Sequence, residues 1–319
     1  MLDTIRNATE TFWDFLSEIA LGPLALAICA HLIKVACTSR AWRNVLAAAY
    51  PNTKVAWRPI YVAYVSGVGI NAIIPARGGD VVRVVLAHRA IPGSSYTTIV
   101  SSTVVLTFVD MTIALLVFAW ALTQGVLPSL DVLPRLPAFD YSWAFEDGVV
   151  SPLALILGVT LIAAVVIFLH RSWYRLRPRV EQAFAVFRPP IRYVRTVALW
   201  QLADWTLRLV TIWFFLGAFG IEQSVRNVIL VQATQSLATL VPATPGGIGT
   251  EQALIVYAFR NADIVRSTLL AFSVGMKLTL TVVNVVIGFT ALFLTLGTFR
   301  YRSVTRPPGQ PASETEPPS

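Results

Sequence analysis

Pro242-Ala-Thr-Pro-Gly-Gly-Ile-Gly-Thr-Glu251 interrupts a run that is apolar and helix-like on both sides. An apolar helix is predicted before it, at about 226–241, and a short helix at about 250–260 leads to a long span at 267–297. Two prolines and three glycines cannot carry one helix through the interval between them. A second interruption is built the same way. Pro75-Ala-Arg-Gly-Gly79 follows an apolar stretch at about 60–74 and precedes a short helix from Asp80 to about Ala90. In both, proline and a Gly-Gly pair break the helix and an acid, Asp80 or Glu251, opens the next one. Irregular backbone at membrane depth is tolerated only where it is buried in protein or lines a cavity.

The chain around these breaks belongs in a bilayer. Of its 319 residues 55% are apolar and only 13% charged, with a mean hydropathy of +0.66; soluble domains carry about 25% charged residues. Apolar blocks near the ~20 residues that a helix needs to cross the hydrocarbon recur along the chain. Alternating strand patterns are absent, so helices must satisfy the backbone. The net charge of +8 would suggest nucleic acid in a soluble protein. Here the arginines cluster in a few segments, which is the signature of membrane orientation, and no nucleic-acid partner is expected. Cys29 and Cys37 stand on one predicted helix and make neither a disulfide framework nor a metal site. No metalloprotease, P-loop or hydrolase-elbow pattern is present, so no catalytic residue, metal or cofactor is predicted, and direct use of ATP is not expected. The N-terminus opens acidic, with Asp3, Glu10, Asp14 and Glu18, and does not read as a cleavable signal.

Working outward, residues 1–18 are expected to form an interfacial amphipathic helix. Spans are predicted at about 19–36, 97–122, 150–169, 196–219 and 267–297. Segments 37–58 and 171–195 and the start of the tail are basic and are assigned to the cytoplasm; segment 123–148 is acidic and is assigned outside, with the N-terminus. Residues 59–96 then begin and end inside, and residues 221–266 begin and end outside, so each is read as a hairpin with its tip at a break. The fold class is an all-α integral membrane protein. It is a polytopic helical bundle with two inverted-topology repeats, 19–122 and 196–298, joined by the span at 150–169, each repeat holding a broken, re-entrant hairpin. The whole is one transmembrane domain over 19–298, followed by a disordered cytoplasmic tail at 299–319 that is too rich in Pro, Ser and Glu to pack a core. Inverted repeats with broken helices are the architecture of many secondary transporters, and the breaks mark the substrate site.

Half-helix N-termini carry unpaired N–H groups and a positive dipole end, which inside a membrane make an anion site. Gly78, Gly79, Gly246, Gly247 and Gly249 would let the backbone approach a phosphate, and Arg77 and Arg83 are its expected side-chain partners. Asn71 precedes the first break. An acid in a first helical turn is equally ordinary dipole pairing. Charge also sits inside the spans: Asp110; Asp204 and Arg208; Gln235 before the second break; Lys277 and Asn284 in the last helix. A charge facing lipid at mid-helix costs ~2.5–3.5 kcal/mol, so Asp110, Asp204, Arg208, Glu251 and Lys277 together would cost on the order of 13–17 kcal/mol. They must point inward. Asp204 and Arg208 are read as an i,i+4 ion pair. Asp110 and Lys277, with no charged partner on their own helices, are expected to pair with each other. His31 and Lys34 are expected near the interface, with Lys34 snorkelling.

Asn71-Ala-Ile-Ile-Pro-Ala-Arg-Gly-Gly-Asp80-Val-Val-Arg83 is similar to the "N…P.R.GE..R" segment of the flippase-like membrane domain of lysylphosphatidylglycerol synthases. Pro242 to Glu251 resembles that family's P…GG.G..E turn, and Arg40-Ala-Trp-Arg43 its basic segment after an early span. The resemblance covers about residues 20–298. It implies translocation of a phospholipid headgroup, anionic phosphatidylglycerol or its lysyl derivative, between the leaflets of the cytoplasmic membrane, with Arg77, Asp80, Arg83 and Glu251 lining the path. It also implies membrane phospholipids as partners and leaves room for a lipid-modifying enzyme. The sequence departs from the pattern in three ways. Asp80 replaces a glutamate, Thr107 stands where an arginine is expected, and one N-terminal span has no counterpart. With no aminoacyl-transfer domain after residue 298, the chain resembles the transport part alone. Two other readings stay open at this stage: an ion-coupled small-solute transporter, and a membrane transferase acting on a lipid-linked substrate. The oligomeric state is not legible.

Overall fold

The computed structural model describes residues 19–74, 78–123, 177–240, 249–260, 262 and 264–296. Among these no strand occurs, and the long elements are helices: α1 Leu21–Ala49, α2 Trp57–Ile73, α3 Gly78–Ala90, α4 Tyr96–Thr123, α5 Leu199–Ala218, α6 Val225–Leu240, α7 Thr250–Ala258 and α8 Arg266–Leu296. Three stretches are long and apolar enough to cross a membrane: Leu21–Ala49, Tyr96–Val117 and Arg266–Thr295. These match three of the expected spans; the stretch expected at 196–219 coincides with α5, a helix that is not among the three. The interfacial helix at 1–18, the acidic segment from residue 124, the span at 150–169, the tail at 299–319 and both hairpin tips (75–77 and 241–248) lie outside the described residues.

The first span is longer than expected. The segment 37–58 is not a loop throughout, because α1 runs on to Ala49. Arg40 and Arg43 do not break a helix, and the residues between and beyond them are apolar at helical spacing. Trp42, Val45, Leu46 and Ala49 are buried, and Trp42 Nε1 donates to Ser102 Oγ of α4 at 2.8 Å. The helix ends where it does because Pro51 disfavours helical geometry at Tyr50. The basic segment 171–195 is likewise not a plain loop. From residue 177 it forms helical turns, including Phe184–Phe187 and Pro190–Tyr193, which lead through a single π turn, Val194–Ala198, into α5. Gln182 Nε2 from these turns donates to Ala49 O at 2.8 Å, satisfying a carbonyl at the end of α1.

Two apolar cores divide the molecule. The first gathers Trp42, Leu46, Ile60, Val82, Leu86 and Ile99, with Val197 and Leu292. The second gathers Phe215, Leu216, Val231, Ile255, Phe272 and Met276, with Ala27. Two helices, and the stretch from Val197 through α5, pass from one core to the other. Helix α1 gives Ala27 to the second core and Ala41–Ala49 to the first; α8 gives Leu269–Met276 to the second and Leu292 to the first. Val197, just before α5, belongs to the first core, and Ile212–Leu216 to the second. The middles of these helices, which carry the polar residues, therefore lie between the cores. The helices pack α1 on α5, α2 on α3 and α8, and α6 on α4 and α7.

Close approach at two crossings depends on glycine. A Cβ on Gly79 would stand 2.0 Å from Gly67 O, and one on Gly288 would stand 2.7 Å from Gly69 Cα. Small residues that let backbones meet are the usual means of packing helices where lipid supplies no hydrophobic drive. Gly79→Ala is expected to force α2 and α3 apart and to destabilise the protein by about 1–3 kcal/mol. Gly22→Ala, where an added Cβ meets nothing within 4 Å, is expected to change stability by less than ~0.5 kcal/mol. Thermal unfolding of the two variants in detergent checks the contrast.

Candidate functional site

Asp204, in the second turn of α5, is the centre of the polar region. Its side chain is only 4% exposed and it is hydrogen-bonded from two helices. Arg208, one turn along α5, donates from Nη2 to Oδ2 at 3.0 Å, so the expected i,i+4 pair forms. It does not stand alone. Thr38 of α1 donates its hydroxyl to Asp204 Oδ1, and Lys34 Nζ lies 4.0 Å from the same oxygen. One buried carboxylate thus serves two cations and a hydroxyl. A buried charge with this much compensation is tolerated where an isolated one is not.

Lys34 and His31 correct the sequence expectation. Both turn onto neighbouring helices. His31 is buried and its Nε2 meets Asn284 Oδ1 of α8 at 2.8 Å. Lys34 turns toward Asp204 instead of snorkelling. The periodicity of α1 explains the error: His31, Lys34 and Thr38 lie at i, i+3 and i+7, on the side of α1 that α5 and α8 contact.

Glu251 of α7 forms the second cluster. Its side chain is 5% exposed. Gln235 Nε2 of α6 donates to Oε1 at 3.0 Å, and Lys277 Nζ of α8 donates to Oε2 at 3.0 Å. The expected Asp110–Lys277 pair is therefore not made. Asp110 instead accepts from Trp205 Nε1 at 2.9 Å, and the Trp205 ring lies 4.5 Å below the Arg208 guanidinium. Asp110 of α4 faces α5, whereas Lys277 of α8 faces α7, so the two side chains do not meet. Trp205 escaped notice because a tryptophan in a span reads as an anchor or a core residue. Gly249 has a left-handed backbone, φ 89°, which a side chain would resist. Its N–H donates to Gln252 Oε1 at 2.7 Å and caps α7.

At the first break Asn71, Gly79, Asp80 and Arg83 are brought together. Asn71 accepts from Gly79 N at 2.8 Å and donates to Asp80 Oδ1 at 3.1 Å. Arg83 Nη2 lies 3.3 Å from Asp80 Oδ1, with its guanidinium over Trp42 and Tyr64 at 5.3 and 5.8 Å. Gly78 begins α3 beside this cluster. Unlike Glu251, Asp80 is 37% exposed. Arg77, Gly246 and Gly247 lie outside the described residues.

Between α1, α5, α6 and α8 a cavity of about 310 Å³ opens, lined by His31, Lys34, Arg208, Thr211, Gln232 and Gln235, with Met276 and Leu280 as part of its apolar wall. This is the low end of the size range of small-molecule sites, and its mixture of apolar wall and a few convergent polar groups is typical of them. Arg208 Nε and Gln232 Oε1, on two of the lining residues, have no hydrogen-bond partner among the described residues. Of the sequence-predicted residues, Arg208 and Gln235 line the cavity. Asp204, Glu251, Lys277 and Asn284 hold or adjoin its lining side chains.

Residues 6–288 match a family model described as "Lysylphosphatidylglycerol synthase TM region". No curated protein and no solved structure matches the chain. A double-mutant cycle checks the pairing just described. Glu251→Gln with Lys277→Gln is expected to give a coupling energy of about 0.5–3 kcal/mol in thermal stability, and Asp110→Asn with Lys277→Gln a value near zero.

Proposed function

The chain belongs to the lysylphosphatidylglycerol synthase transmembrane-region family, and on that premise we propose that it carries the headgroup of a phospholipid between the leaflets of the cell membrane. One observation carries the reading. Charged side chains of α1 and α5 converge on a cavity beside the second apolar core, and each carboxylate nearby is held by named donors. A headgroup crossing the hydrocarbon needs such a stepping place, because its charge is costly to bury unpaired.

The two-repeat architecture belongs to the same proposal. Support for it comes from two correspondences. Each break is followed by an acid that takes a hydrogen bond from an amide of the helix before the break and an ion pair from a cation further on. These sets are Asn71, Asp80 and Arg83 in the first half and Gln235, Glu251 and Lys277 in the second. The packing pairs also exchange: α2 on α8 answers to α6 on α4, α2 on α3 to α6 on α7, and α3 on α4 to α7 on α8, while α1 and α5 pack on each other. On this proposal the breaks are the tips of re-entrant hairpins and the basic segments face the cytoplasm. A lipid-modifying enzyme is the natural supplier of the lipid.

Reconstituted into liposomes, the protein is expected to expose fluorescent phospholipid to a membrane-impermeant quencher faster than protein-free liposomes do. Glu251→Gln and Arg208→Gln are each expected to slow this at least about tenfold, a loss of ~1.4 kcal/mol or more. Gly22→Ala is expected to transport as wild type. Wild-type rates equal to those of empty liposomes would remove the proposal.

A further inference from the structure

Resting on the reading of the central cavity as a stepping place for transport, we propose that Arg83, laid on the rings of Trp42 and Tyr64, is a closed gate between that cavity and a second one beside the first break.

The second cavity is a cleft of about 470 Å³ between α3 and α4. Val81, Val84, Tyr96 and Val100 belong to its apolar wall, and Asp80 and Arg83 supply its charge. The cleft shares no helix with the central cavity, which α1, α5, α6 and α8 line. An unbroken run of side-chain contacts nevertheless joins the two. Lys34 and Arg208 line the central cavity and hold Asp204. Thr38 donates to Asp204, one turn beyond Lys34 on α1. Tyr64 of α2 reaches Thr38 with its hydroxyl. The Arg83 guanidinium lies over the Tyr64 ring at 5.8 Å and over the Trp42 ring at 5.3 Å. Arg83 also meets Asp80 at 3.3 Å, and there the run enters the cleft.

The parts of this run are held with unequal firmness. Trp42 is wholly buried and pinned to Ser102 through its Nε1. The Tyr64 ring stands 6.4 Å from it at 56°, so the two rings make a fixed corner. Gly67 lets the base of Arg83 stand against α2: an added Cβ there would lie 2.8 Å from Arg83 Cβ. The tip of Arg83 is held less well. Its Nε is buried and has no hydrogen-bond partner among the described residues. Ring faces attract the guanidinium charge but are weak acceptors for its N–H groups. A buried donor left unpaired is costly, and a phosphate or water in the cleft would relieve that cost. Asp80 stands on the same helix and is 37% exposed, so Arg83 can swing into the cleft with its ion pair intact. The space over the two rings then opens, with Thr38 and Asp204 behind it. A polar path open at both ends at once would pass water and ions, which is why a carrier keeps one end shut. The Arg83 stack does this by side-chain contacts alone.

Thiol labelling from the two faces of the membrane tests the gate on the full chain. Ser236→Cys, in the wall of the central cavity, is combined with Cys29→Ser and Cys37→Ser. Its rate of reaction with a charged, membrane-impermeant methanethiosulfonate is measured in right-side-out and in inverted vesicles. With the gate closed, the two rates are expected to differ at least about tenfold. Arg83→Ala and Tyr64→Leu are each expected to remove most of that difference. Arg83→Lys and Tyr64→Phe keep the cation and the ring, and are expected to preserve it. Equal rates in the parent protein overturn the inference, as does a difference that survives both Arg83→Ala and Tyr64→Leu. Loss of the difference in the two conservative variants as well would mark a general loosening of the fold and would also overturn it. No lipid enters this readout, so the two ideas fail separately. Liposome transport no faster than in empty liposomes removes the lipid-carrier reading, whereas unchanged labelling ratios remove the gate and leave that reading standing.

Discussion

A carboxylate buried among apolar helices is costly unless its partners are in place, and Asp204 shows how this protein meets that constraint. Its oxygens gather an arginine from its own helix and a hydroxyl and an ammonium from another. The α1–α5 packing therefore has to bring the two helices together, in the correct rotation, for the charge to be tolerated. That requirement orders much else. It sets which face of α1 looks inward and puts His31 opposite Asn284. It also leaves a cavity on which α1, α5 and α6 present polar groups and α8 an apolar wall.

The two apolar cores make this arrangement possible. Each packs tightly within its own half of the molecule, and α1 and α8 belong to both. Because the cores lie toward opposite ends of these helices, the polar residues are confined to the stretch between. Steric closeness does the remaining work at Gly67–Gly79 and Gly69–Gly288, where backbones meet without side chains between them. A membrane protein has little hydrophobic drive for association within the bilayer, so contact of this kind, with hydrogen bonds across helices, has to hold the bundle.

The two breaks differ in how they use the same chemistry. At the second, Glu251 is almost wholly buried and bridges α6 to α8 through Gln235 and Lys277. At the first, Asp80 is more than a third exposed and pairs within its own helix with Arg83, while the Arg83 guanidinium lies against Trp42 and Tyr64. A similar acid, amide and cation set therefore makes a tie between helices in one half and a partly open polar patch in the other. The placement of the cation accounts for part of this: Arg83 stands three positions after Asp80 on the same helix, whereas Lys277 reaches Glu251 from a different element.

Much was legible before any coordinates. Composition and the ~20-residue period of apolar blocks required membrane helices, and Pro and Gly-Gly marked where helices had to stop. Charge inside a span required inward-facing side chains, which is why Asp204, Arg208, Glu251 and Lys277 could be named from the sequence. The i,i+4 spacing of Asp204 and Arg208 predicted their pair because both stand on one helix, where distance follows from sequence separation alone. Partners on different helices carry no such signal. That Lys277 meets Glu251 and not Asp110, that Lys34 faces Asp204, and that Trp205 joins Asp110 to Arg208 depend on the order and rotation in which the helices pack. Local periodicity determined the helices and which residues could not face lipid. Only the tertiary structure decided which charges meet, because contact across helices is settled by how the two cores and the glycine crossings fit together.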